Sequence, residues 1–166
     1  QYLYQKTPLS NVVLRSSCVC SKTRLRRPMA ATASEELPRT ESPKPCFAPI
    51  YTPSGTLVTE YRPSDHTWHT GLYFGWVHAN DANLWGGPWY LPSTKKYERV
   101  DDSHGQQRHE NFTQFTSDDA ISVSETLSWL DAHDVPFALE ERTYSIEPVP
   151  GGTRWHIATQ IRPTAE

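Results

Sequence analysis

No stretch of this chain keeps apolar residues at three- and four-residue spacing over three turns, and that absence constrains the fold more than any motif does. Short apolar runs take the place of helical periods, several of them alternating. They are cut apart by proline, glycine, asparagine and aspartate. Proline lacks the N–H that a strand ladder uses, and glycine adopts turn conformations closed to other residues. The pattern predicts strands over residues 46–51, 56–61, 71–78, 105–116, 120–129, 135–149 and 153–161, with turns between them. Residues 71–78 put Leu72, Phe74 and Trp76 on one side and Tyr73 and Val77 on the other, the pattern of a central strand. In 120–129, Ile121, Val123, Leu127 and Trp129 share a face, and Glu125 is the exception on it. Such an order implies an all-β antiparallel domain, a sandwich or a large curved sheet.

Chemistry-bearing residues crowd into residues 61–89. This stretch holds three of the seven histidines, four of the six tryptophans and four of the eight glycines. Histidine moves protons near neutral pH and ligates metals, and indole faces stack on ring-shaped ligands. His66 and His69 follow a turn at Arg62-Pro63-Ser64-Asp65, where side chains three apart can converge. Structural roles compete with functional ones at each position. In the structural reading His66 satisfies a carbonyl, His69 packs under Trp68, and Trp85 and Trp89 bury area beside Gly86-Gly87-Pro88. His104 reads as a solvated loop residue. On the strand at 140–142 only one of Glu140 and Glu141 can face a pocket, because successive side chains alternate.

Arg62-Pro63, Asp65-His66, His69-Thr70-Gly71-Leu72 and Asn83-Leu84-Trp85 form an ordered run that resembles the PmoA-like family, whose label is methane oxygenase. The resemblance covers roughly residues 45–142. The family carries His-His-Gly-Leu where this chain has His-Thr-Gly-Leu. It implies a β-sandwich of the galactose-mutarotase kind, of which this chain would be the first part, truncated at its C-terminus. It also matches His109 to a histidine that recurs after the tryptophan-containing loop. The chain itself does not fit a membrane methane-oxidising subunit, so the name serves as a label and not as a function. Mean hydropathy here is −0.66, and no apolar run reaches the ~18–20 residues of a membrane span.

Charge separates the start of the chain from the rest. Residues 1–28 carry six Lys and Arg and no Asp or Glu, which leaves ten basic and 19 acidic side chains, a net of −9, for the remainder. An acidic body excludes a nucleic-acid binder, because phosphate neutralisation needs a cationic face. The sequence therefore assigns residues 1–44 to a disordered leader and linker and 45–166 to the β domain. The expected compartment is the cytoplasm, or an organelle if residues 1–28 are a transit peptide. Cys18, Cys20 and Cys46 make no disulfide framework, and Cys18-Val19-Cys20 lacks zinc-site spacing.

Three functions of different classes follow. In the first, a sugar-like small molecule is the partner. His69 and His109 act as acid and base, and Arg62, Asp65, His66, Trp85 and Trp89 bind substrate. In the second, His66, His69 and His109 hold a divalent metal, although no cofactor is required by the first reading. The third is a sugar-binding module without catalysis. Placing His69 and His109 in one pocket depends on strand register, since a slip of one residue turns His109 to the other face.

Overall fold

The computed structural model describes residues 12–20, 30–31, 39–41, 44–52, 54–116, 120–150 and 152–164, with backbone alone at 12–20, 30–31 and 113–116. Its strands are β1 (Val12–Cys20), β2 (Ala30–Ala31), β3 (Cys46–Phe47), β4 (Trp89–Leu91), β5 (Lys96–Glu98), β6 (Gln106–Thr116), β7 (Ile121–Leu130), β8 (Pro136–Val149) and β9 (Gly152–Pro163). No helix occurs among the described residues, so none is long and apolar enough to cross a membrane. The protein is all-β and antiparallel, as the turn-separated runs predict.

One five-stranded sheet, in the order β1-β9-β8-β7-β6, carries the structure. Strands β6 to β9 form a meander, each pairing antiparallel with the next. The β7–β8 turn is set by Asp131, whose Oδ1 accepts from the backbone N of His133 at 2.8 Å and of Val135 at 2.9 Å. Short aspartate side chains favour turns for this reason.

The alternation in β7, β8 and β9 sorts the sheet into two faces. One is open, with ion pairs such as Arg162–Glu141 at 3.0 Å. The other is covered by the chain from Lys44 to His104, a layer of turns, single bridges and short strands. Two apolar groups join the layers. Phe47 and Ile50 pack with Val123, Tyr144, Ile146 and Trp155. Ala79 and Leu84 pack with Leu127, Trp129, Ala138 and Ile161. Burial of such side chains, each worth about 1.5–3 kcal/mol, holds the irregular layer to the sheet.

Several sequence expectations change: of residues 46–51 only Cys46–Phe47 form a strand, and residues 56–61 keep only the isolated Tyr51–Leu57 bridge. Residues 71–78 form no ladder, and Leu72 alone bridges Phe47. Their alternation is nonetheless real, since Leu72, Phe74 and Trp76 pack on the sheet side. Alternating pattern reports burial, and burial here comes without a neighbouring strand. Most of the leader assigned to residues 1–44 lies outside the described residues, and the described parts meet the body. Backbone of β1 pairs with β9, and Arg39, Glu41 and Lys44 all bond to later residues. Its polar, proline-rich composition gave no hint of those long-range partners.

Candidate functional site

The loop at 62–69 closes on itself. Arg62 N donates to His69 O at 2.8 Å, His66 N to Pro63 O at 3.0 Å and His69 N to His66 O at 2.9 Å. Arg62 adopts a φ of 55°, a left-handed conformation uncommon for a residue other than glycine. These turns bring the rings of His66 and His69 to 5.1 Å between centroids. Asp65 Oδ2 lies 3.0 Å from His66 Nδ1. That bond holds the Asp65 carboxyl below its ordinary range. His69 is lowered as well, first by desolvation, then by His66 and Lys44. A neutral imidazole is therefore its resting form at pH 7.

Beneath His69 is an aromatic box around a buried lysine. Lys44 Nζ sits 4.1 Å from the Tyr73 ring centroid and 5.5 Å from that of Trp85. It donates to the carbonyls of Trp85 and, at 3.5 Å, of Trp68. Burial is the main cause that lowers its pKa to about 7. Trp85 lies against Gly75, where an added Cβ would come within 2.9 Å of the indole. Gly87, at a φ of +67°, supports Trp68 in the same way, with a Cβ approach of 2.4 Å. The glycines leave room that tryptophans fill. Space beside Gly71 is taken too, by the Phe47 carbonyl at 2.4 Å.

The Gly86-Gly87 loop is fastened from behind. Asn83 Oδ1 accepts from the backbone N of Trp85 at 2.9 Å and of Gly86 at 3.1 Å. His104 Nε2 donates to Gly87 O at 2.8 Å. His104 is buried, and burial pushes its pKa down, which corrects the expectation of a solvated loop histidine. Trp89 Nε1 donates to Ser103 Oγ at 2.8 Å, and its ring meets His78 edge-on at 4.9 Å. Arg62 is ion-paired with Glu41.

A second arrangement lies on the sheet, between the two apolar groups. His109 Nδ1 is 2.9 Å from Glu125 Oε1, with Glu125 side chain 1% exposed and His109 23%. Tyr144 OH donates to Glu125 Oε2 at 3.1 Å and accepts from Arg142 Nη1 at 3.0 Å. Arg142 donates two bonds to Glu140, at 2.6 and 2.7 Å, and one to Gln107 Oε1 at 3.1 Å. Trp129 Nε1 and the Thr159 hydroxyl complete Glu140. Burial opposes the Arg142 charge, but Tyr144 and the Glu140 carboxylate outweigh it and hold its pKa above the ordinary value. Desolvation raises the Tyr144 phenol. Arg142 bonds Glu140 directly and reaches Glu125 only through the Tyr144 hydroxyl. With Glu125 ionised, Nδ1–H donates to it. Nε2 then has no partner among the described residues.

Register decides which way His109 points. It pairs with Leu127, on the covered face, and a β-bulge follows between His109 and Asn111. The extra residue turns Phe112 to the same face despite the odd spacing, and the two rings stack at 3.9 Å. The structure thus gathers Asp65, His66, His69 and Trp85 into one group and places His109 in another. The ring neighbours of His69 are His66, Trp68, Tyr73 and Trp85. Phe74 touches the guanidinium of Arg142 at 5.2 Å, so the segment 72–76 runs between the groups, with Tyr73 on one side and Phe74 on the other. Among the described residues no group of three or more His, Cys, Asp and Glu side chains is set to hold a metal ion. Sequence reasoning missed Lys44 and the network partners of His109. The legible signal was polarity at inward positions: Glu125 on β7, and Glu140 and Arg142 in step with Ala138, Tyr144 and Ile146 on β8.

The fold and these two groups define an all-β antiparallel protein with a buried carboxylate–histidine network under an aromatic loop layer. The chain belongs to a family of unknown function, DUF6807, which matches residues 20–166. No curated protein and no solved structure matches it.

Proposed function

We propose that this protein performs histidine-based acid–base chemistry on a sugar or sugar derivative, the reading that the resemblance to the PmoA-like family also favours. One observation carries it. His109 is oriented by a buried carboxylate at 2.9 Å while its ring stays partly exposed. A carboxylate on Nδ1 sets the tautomer and stabilises the imidazolium, leaving Nε2 to take and return a proton. Proton transfer of this kind contributes about 10²–10⁴-fold. Such chemistry needs no resident metal. Exposed carboxylates and aromatic rings of the loop layer supply the groups that hydroxyls and ring C–H faces use.

The test is turnover. Aldoses and their derivatives are incubated with the protein in heavy water. Polarimetry reads anomeric interconversion, and proton NMR reads hydrogen exchange next to the carbonyl. At least one reaction should run faster than in buffer, fall by about 10²–10⁴-fold in His109→Gln and stay unchanged in His133→Gln, an exposed turn histidine. No acceleration for any sugar, or equal rates in wild type and His109→Gln, would overturn the reading. Binding without turnover would favour the non-catalytic module.

A further inference from the structure

A cavity of about 530 Å³ opens beside Trp68, walled by Trp68, Arg39, Glu41, Arg99, Asp101 and Asp102 among others. Its volume falls in the range of small-molecule sites. We infer that this cavity binds a neutral polyhydroxylated ring, with Trp68 as the stacking face and Asp101, Asp102 and Arg99 as hydroxyl partners. The inference rests on the proposed function for the ligand class and adds the site and its charge preference.

Three observations support it. First, the polar groups divide into spent and available. Arg39 is held by Asp134 and the Asp131 carbonyl, and Glu41 by Arg62. Arg99, Asp101 and Asp102 have no ion-pair or side-chain hydrogen-bond partner among the described residues. Carboxylates accept from hydroxyls and guanidinium donates to them, so this mixture suits a ligand that does both. Second, the loop bearing the two aspartates is fixed in advance. Ser103 Oγ donates to Val100 O at 2.6 Å and accepts from Trp89 Nε1 at 2.8 Å, and Asn83 N donates to Ser103 O at 2.7 Å. A fixed loop loses little entropy when it binds. Third, Trp68 packs against Gly87, which lines the same cavity, and is flanked by the His66 and His69 rings at 5.1 and 5.9 Å, so its indole is held as part of the wall. Two free carboxylates against one free guanidinium leave the cavity with a net negative charge. An anionic sugar is disfavoured there.

Ligand-observed NMR and titration calorimetry test the site with glucose, galactose, mannose, N-acetylglucosamine, their β-1,4-linked disaccharides and glucuronate. At least one neutral saccharide should bind, and glucuronate about fivefold more weakly than glucose, the effect of roughly one unit charge at contact distance in water. Asp101→Ala combined with Asp102→Asn should weaken binding at least about tenfold. Asparagine is chosen at 102 because that residue has a φ of 51°. Both positions are exposed, so the circular dichroism spectrum should not change. His109→Gln should bind as wild type does, which separates this site from the catalytic reading. Turnover with binding indifferent to the double substitution overturns the site alone. Binding lost in the double variant without turnover in wild type overturns the catalytic reading and supports the site. No saccharide binding, or glucuronate binding as tightly as glucose, overturns the inference.

Discussion

Among the described residues, the two shortest carboxylate–histidine pairs are of nearly equal length, and they differ in almost everything else. Asp65 and His66 are 3.0 Å apart at the surface, with side chains 76% and 49% exposed. Glu125 and His109 are 2.9 Å apart, with 1% and 23% exposed. Water can replace either partner in the first pair, and salt screens it. In the second, the carboxylate is buried, and Tyr144, itself held by Arg142, bonds it in place of water. Distance alone therefore says little about what a pair does. The partners behind it decide whether the histidine is held in one orientation or merely has a neighbour.

The largest test of this contrast is Arg142→Met. It strands Glu140 in the interior without its cation and takes from the Tyr144 hydroxyl its donor, and unfolding free energy by urea denaturation should fall by about 3–5 kcal/mol. The exposed Arg162, paired with Glu141, is the matched control. Arg162→Met should cost less than about 1 kcal/mol. Similar losses at the two positions would show that the sheet network is no more than a surface pair moved inward.

Lys44 offers a smaller effect that depends on pH. Its folded value is lowered to about 7 from 10.5, so between those values the unfolded chain binds more protons than the folded one. Stability therefore rises with pH across that window, and the cost of burying the ammonium is fully present below about pH 7. The urea midpoint of Lys44→Met should exceed that of wild type most at pH 7, with the gap narrowing by pH 9. Stopping at 9 avoids Cys46, whose thiol burial pushes above its ordinary 9.0, and Tyr73, pushed up to about 12. A gap that widens with pH would mean that the carbonyls and aromatic rings stabilise the cation more than burial penalises it.

The smallest effect belongs to Asp65→Asn. The carboxyl is exposed and its bond to His66 competes with water, so the thermal midpoint should not move measurably, at low salt or high. A clear drop would make the surface pair a structural clasp of the 62–69 loop and erase the contrast with His109.

Much of the architecture could be read from residue order. The alternation in 120–129 and 135–149 locates β7 and β8 to within a residue at most ends, because one buried face imposes a period of two. Polar residues on that face, Glu125 above all, marked a site without naming its members. Their meaning depended on long-range pairing. Glu125 lies directly opposite Arg142, and Tyr144 one step further along β8 links the two, a geometry that exists only once β7 and β8 are in register. The direction of His109 depended on a bulge that no local pattern announces. Lys44 shows the limit most plainly. In Lys44-Pro45-Cys46 it reads as a polar lead-in, yet it is buried against Tyr73 and Trp85. Composition reports a residue's average preference for water, whereas carbonyls and ring faces brought together from distant positions can outbid that preference at a single place.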